Sequence, residues 1–287
     1  MKRAKEAGIR LLNQGVSGTL EEGMLLSGLL AQYRAAGDRD CRETVLACMD
    51  KSVPRDAGES PILAGESPWQ AAAFGNALFF ALDETGEDRY KKALDAVASR
   101  VKEAALPETP AGLYAAAPFL AEYDTRFGDK QSYKLIADQF RAVHQAHFDR
   151  ETGLYRSAGG VFSAREEGFM RLALADTAEK LDMMIYEHYR TLADLFLEAV
   201  RTTYQKGTEW ACFRSGESEE QARDLSGYAL SVTAVLKGIR LQLLDEERYL
   251  PRAMFAKANL EALYAAGLPC DAGAWLLEQS EGRRVSK

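Results

Sequence analysis

The sequence is poor in the residues from which metal and redox sites are built. Its 287 residues include four cysteines and three histidines. Cys41, Cys48, Cys212 and Cys270 form no CxxC pair and keep no metal-type spacing to a histidine. His144 and His147 lie three apart near the end of a predicted helix, but no third ligand of matched spacing accompanies them. The thiols are therefore read as free and buried, the histidines as structural or surface groups, and neither a metal nor a cofactor is expected. G-x-x-x-x-G-K, G-x-G-x-x-G and G-x-S-x-G are all missing, which removes the common phosphate, dinucleotide and nucleophile-elbow signatures. Positive charge is in deficit, with 36 Lys and Arg against 43 Asp and Glu and a net charge of -7. Such a balance argues against a nucleic-acid or anionic-membrane partner. No apolar run approaches the roughly 20 residues of a membrane helix. The opening stretch MKRAKEAGIRLLNQG has no continuous apolar region ahead of a cleavage site, so a cytoplasmic location is the expectation.

What the sequence does contain is a helical repeat. A composition that is 47% hydrophobic supplies a large core, and one domain spanning 1–287 is expected. The clearest copy runs from Ala111 to Phe140. AGLYAAAPFLAEYDTRF is apolar on nearly every side, whereas Tyr133, Leu135, Ile136 and Phe140 recur at helical spacing among polar residues. This predicts an inner helix followed by a half-exposed outer one. Gly128-Asp129 between them offers a left-handed turn residue and a helix cap. The same hairpin recurs through GMLLSGLLAQYRAAG with a return from Asp40 to Val53, and through SPWQAAAFGNALFFALDETG with RYKKALDAVASRVKEA. It recurs again through EEGFMRLALADTAEKL with a return from Met183 to Tyr204, and through LSGYALSVTAVLKGIRLQLL with a return to Leu263. Three turns place an Asp four residues before a Tyr: Asp129 and Tyr133, Asp182 and Tyr186, Asp245 and Tyr249. Self-similarity at roughly 40 to 60 residues indicates a helical array. A short helix over Lys2 to Asn13 and the apolar Ala274 to Leu277 remain to form a sixth pair that closes it, with residues from about 278 to 287 as a disordered tail.

Turns within hairpins are short, whereas the links between hairpins are long: Lys51 to Pro68, Leu106 to Ala111, Phe148 to Glu166, and Gln205 to Asp224. Long links of this kind are commonly functional. All emerge at the N-termini of inner helices, whose partial positive charge and unpaired N–H groups suit an anionic ligand.

The blocks GLYAAAPFLAEYDTRFGDKQSY, FDRETGLYRSA, AREEGFMRLALADTAEKL and DLSGYALSVTAVLKGIRLQLLDEERYLPRA resemble, in order, those of the unsaturated rhamnogalacturonyl and unsaturated glucuronyl hydrolases, glycoside hydrolase families 88 and 105. The resemblance implies an all-α fold, the (α/α)6 barrel of six-hairpin glycosidases. It also implies a substrate, an oligosaccharide ending in a 4,5-unsaturated uronic acid, whose double bond a carboxylic acid protonates so that the hydrated sugar is released. Several positions differ from the family pattern. Ala111 stands where the family carries its essential aspartate, Ser157 where a His is usual, and Ser163 and Phe169 where two tryptophans flank the retained Arg165.

Hydration of an alkene needs a neutral carboxylic acid near its carbon, so the loop-side carboxylates come under consideration: Glu59, Glu66, Glu108, Asp149, Glu166, Glu167, Glu217 and Asp224. Glu166, Glu167 and Asp224 are the catalytic candidates; the plain alternatives are dipole complementation for the two glutamates and helix capping for Asp224. Arg165 and Arg214 are candidates for binding a uronate, against local pairing with nearby glutamates. Trp69, Tyr114, Phe169 and Trp210 are candidates for stacking on a sugar, against ordinary core packing. Three readings follow: a glycoside hydrolase of the unsaturated-uronide type, a non-catalytic carbohydrate-binding or regulatory barrel, and an open scaffold for a protein partner. An anionic oligosaccharide is the expected ligand of the first two.

Overall fold

The computed structural model describes residues 2–55, 60–64, 67–156, 160, 162–207 and 224–285. Contacts group the chain into two compact units, Met1–Leu106 with Asp271–Ser280, and Pro107–Cys270 with Glu281–Lys287. The first holds α1 (Lys2–Asn13), α2 (Leu20–Ala36), α3 (Arg39–Ser52), α4 (Pro61–Ala64), α5 (Pro68–Ala72), α6 (Gly75–Thr85) and α7 (Asp88–Glu103). The second holds α8 (Pro110–Arg126), α9 (Ser132–His147), β1 (Phe148–Asp149), β2 (Leu154–Tyr155), α10 (Ala164–Lys180), α11 (Tyr186–Lys206), α12 (Ser226–Arg240) and α13 (Glu246–Ala265). The last helix, α14 (Ala272–Val285), contributes its start to the first unit and its end to the second.

In the first unit α2 begins at a capping box. The Glu22 carboxylate accepts from the N–H of Ser17, Gly18 and Thr19 at 3.0, 2.8 and 3.0 Å, while Thr19 Oγ1 receives the N–H of Glu22. Its run Met24, Leu25, Leu26, Leu29 and Leu30 is buried, the all-round apolar pattern of an inner helix. Gly37 ends it at φ 69°, and Asp38 caps α3 while also binding Lys5 of α1 at 2.6 Å. Outer α7 buries one face only, through Tyr90, Leu94, Val97 and Val101. The single inner helix predicted for the second hairpin is in fact two, α5 and α6, parted at Ala73 and Phe74. The kink brings Ala73 against Gly23 of α2, where no side chain would fit.

In the second unit α10 packs against both α8 and α12, and the outer helices α9 and α11 lie together. The turn at Gly128 differs from its prediction. Lys130, not the glycine, takes the left-handed φ of 64°, and the N–H of Ser132 is received by the buried Asp124 at 2.9 Å. Gly128 serves instead by close approach, since a Cβ there would lie 2.7 Å from Asp124 Oδ1. Of the Asp-to-Tyr turns, Asp245 caps α13 at 2.8 Å over a buried Tyr249 as predicted. Asp182 turns onto the N–H of Met184 at 2.9 Å, so α11 starts at Tyr186, later than Met183, and leaves that tyrosine exposed. Residues 278–285 form no disordered tail: α14 continues to Val285, because Ser280 is buried and Glu281 is bound by Arg240. No helix among the described residues is long and apolar enough to cross a membrane.

Two glycines allow the first turns of α10 and α12 to meet backbone to backbone. A Cβ on Gly227 would fall on the carbonyl of Ala164, and one on Gly168 would stand 2.5 Å from the carbonyl oxygen of Gly227. Overpacked interiors lose about 1–3 kcal/mol. Gly227→Ala is expected to lower stability by about that amount, read as a fall in the midpoint of denaturant unfolding at unchanged slope.

Candidate active site

The first turn of α10 reads Ala164-Arg165-Glu166-Glu167, and its two adjacent glutamates face different environments. Glu167 is 1% exposed, paired with Arg171 one turn along, and accepts the N–H of Tyr155 at 2.7 Å. Arg171, itself 2% exposed, donates to Thr203 Oγ1 of α11 at 3.1 Å. Glu167 therefore ties the β-hairpin and α11 to α10, and this internal role removes it from the residues free to meet a substrate.

Glu166 is only half-buried, and its carboxyl lies over the start of α8, where it accepts from the backbone N–H of Ala111. That N–H is one of the first-turn donors a helix leaves unpaired, so the contact has a plain structural origin. The other oxygen, Oε2, is buried without a hydrogen-bond partner among the described residues. Burial raises the Glu166 carboxyl above the ordinary glutamate range, opposed by the charges of His147 and Arg165 and by the Ala111 N–H. A carboxyl that resists ionisation and keeps an unengaged oxygen can act as an acid.

Arg165 extends beside it. Its guanidinium lies 5.6 Å from the centre of the Phe169 ring, and Nη1 is 3.7 Å from Asp224 Oδ2. The other Asp224 oxygen accepts from the N–H and hydroxyl of Ser226 at 3.0 and 2.6 Å, which fixes the carboxylate at the start of α12. Both partners are about one-third exposed, and such pairs are worth about 0–1 kcal/mol, so an incoming anion could displace this one at small cost. Phe169 and Tyr114, with rings 5.1 Å apart, are 2% and 8% exposed. They form the floor beneath Arg165 and do not present open faces for a sugar to stack on. Trp69 belongs to α5 of the first unit and is half-buried there. Trp210 and Arg214, with Ser157, Glu59, Glu66 and Glu217, lie outside the described residues.

The two helix-end histidines have unrelated surroundings. His144 is buried, with Nδ1 2.7 Å from the Tyr155 hydroxyl and Nε2 3.5 Å from Glu198, and burial lowers its affinity for a proton. His147 donates Nδ1–H to the carbonyl of Arg156 at 3.0 Å. A separate cavity of about 20 Å³, touched by Arg171, Tyr204, Tyr228 and Ser231, has room for a single water. No cluster of three or more metal-type ligands occurs among the described residues.

Fold and site together describe an all-α protein of the six-hairpin, (α/α)6 glycosidase type. The chain belongs to Glycosyl Hydrolase Family 88, whose pattern matches residues 19–267. Among solved structures it is similar to a family 105 glycoside hydrolase of C. acetobutylicum ATCC 824, at 20% identity and a TM-score of 0.76, with 97% of this chain and 98% of that one covered. It is also similar to a family 88 hydrolase from Bacteroides vulgatus, at 16% identity and TM-score 0.72 over 98% of both chains. A third is an unsaturated glucuronyl hydrolase specific for heparin, at 11% identity and TM-score 0.65 over 99% of this chain and 96% of that one. A search of curated proteins finds no match. Membership supports a glycoside hydrolase-like function with an oligosaccharide substrate.

The adjacent glutamates differ in what their removal should do. Glu167→Ala strands the Arg171 charge in the interior, and losses of about 3–5 kcal/mol are typical of such a change. For Glu166 the folded carboxyl holds its proton more tightly than the unfolded one, so ionisation weakens the fold as pH rises through the folded pKa. Glu166→Gln should therefore melt with the wild type near about pH 4 and above it near about pH 8, as followed by thermal unfolding.

Proposed function

We propose that this protein hydrates the 4,5 double bond of an unsaturated uronic acid at the end of an anionic oligosaccharide, with Glu166 as the proton donor. The reading rests on one observation above the others, the half-buried Glu166 carboxyl with a partnerless oxygen, held against Ala111 and beside Arg165. Such a sugar is an enol ether. Transfer of the Glu166 proton to C4 leaves positive charge at C5 that the ring oxygen shares. Water then adds at C5 and gives its proton to the glutamate, which restores the acid. The resulting hemiketal opens, the linkage at C1 collapses, and the remaining saccharide departs. Arg165 is assigned the uronate carboxylate, exchanging its weak contact with Asp224 for a charge-assisted pair with the ligand. Asp224 then serves to hold the guanidinium in place before binding.

A second reading, a carbohydrate-binding barrel without turnover, draws on the resemblance, which sets Ala111 at the family's acid position. Under it Glu166 is a helix cap and nothing more.

The two part on one assay. Purified protein incubated with a panel of unsaturated disaccharides should remove the ultraviolet absorbance of the alkene, and Glu166→Gln should slow this by about 10²–10⁴-fold. Arg165→Lys should act mainly on KM, because a lysine cannot replace bidentate contact with a carboxylate. Calorimetric binding of the same sugars without loss of absorbance would favour the second reading and remove the first.

A further inference from the structure

We infer that the small cavity among α10, α11, α12 and α13 is a binding site for one internal water, held by Ser231 against the guanidinium of Arg171. Ser231 lies on α12, is 7% exposed, and lines the cavity together with Arg171, Tyr204 and Tyr228. Its Oγ is buried with no hydrogen-bond partner among the described residues. A buried hydroxyl left in that condition bears its full desolvation cost, so native interiors supply a partner from the protein or from ordered water.

A serine or threonine inside a helix can find its partner locally, by donating to the carbonyl four residues back. Thr233, two positions along α12, does so onto Ala229 at 2.7 Å, Thr125 of α8 onto Ala121 at 2.7 Å, and Ser280 of α14 onto Leu276 at 2.6 Å. For Ser231 that acceptor is the carbonyl of Gly227, the one packed at backbone distance on Gly168 of α10. Ser231 makes no such bond and borders instead a cavity of about 20 Å³, the size of a single water.

The lining selects the occupant. Arg171 has its counter-charge in Glu167, so the site suits a neutral molecule and not an ion. A guanidinium only donates, whereas a serine hydroxyl can accept as well as donate. A water therefore turns its oxygen to Arg171 and one hydrogen to Ser231 Oγ. Val235 of α12 and Ala253 of α13, 4% and 1% exposed, close the apolar side. Bound there, the water joins α12 to the internal pair: the polar contacts that start at the Tyr155 N–H run through Glu167 and Arg171 and end on Ser231.

The test is oxygen-17 magnetic relaxation dispersion on the whole protein, which counts waters that stay inside longer than the molecule takes to tumble. Ser231→Val is expected to lower that count by one, and so is Ala253→Val, which fills the cavity from α13 and leaves the serine in place. A count unchanged in both would overturn the inference. A high-resolution crystal structure of the wild type needs no substitution: it should show a water about 2.5–3.0 Å from Ser231 Oγ, and a Ser231 hydroxyl turned onto the Gly227 carbonyl, with no water beside it, would equally overturn it. Ser231→Ala takes a partner from the water and should lower the midpoint of denaturant unfolding at unchanged slope. A rise in that midpoint, the result expected of a hydroxyl buried with nothing to bond, would count against the site.

Discussion

The buried pair of Glu167 and Arg171 is the constraint on which the second unit's loop end depends. Two charges this deep cost several kcal/mol to desolvate, and the cost is offset only when their remaining hydrogen-bonding positions are filled. Two of these positions are taken by the Tyr155 N–H and the Thr203 hydroxyl, one from the hairpin and one from α11. Satisfying the pair therefore fixes where the hairpin lies. Once Tyr155 is placed, its hydroxyl meets His144 and its neighbour Arg156 orients the His147 ring. An internal electrostatic requirement thus becomes the geometry of a surface site.

Glu166 and Glu167 illustrate how neighbouring carboxyls of one type can be driven to different chemistry. One has a cation and a backbone donor within reach and is structural; the other is half-covered, holds a single backbone donor and keeps an oxygen free of partners. Burial raises both carboxyls, and what separates them is that Glu167 is held in the interior by Arg171 whereas Glu166 is only half-buried. The helix carrying them can present both because its first turn packs at backbone distance on α12, through Gly168 and Gly227. With larger residues at those positions Arg165 and Asp224 would be held apart.

Much of the architecture was legible before any coordinates. Alternation of all-round apolar helices with one-sided ones is a direct reading of burial, and the cap at Asp245 follows from a side chain that accepts a first-turn N–H group. The hairpin at Gly128 shows the limit. A Gly-Asp pair signals a left-handed residue and a cap, yet Asp124 from the preceding helix takes the cap and Lys130 takes the dihedral, because a buried carboxylate eight residues away competed successfully for the Ser132 N–H. The candidate site was legible as a place, the first turn of α10 with its glutamates and arginine. What each residue does there was not. Tyr114 and Phe169, read as candidates for stacking on a sugar against ordinary core packing, are buried with their rings 5.1 Å apart.

By itself the sequence determined the fold class and the family, because apolar periodicity and helix caps are local properties that survive without knowledge of neighbours. Only the tertiary structure set the Ala111 N–H against Glu166 and the Arg171 guanidinium against Glu167, and buried the second carboxyl more fully than the first. Those outcomes depend on desolvation and on which groups meet across helices, and neither is encoded at any single position of the chain.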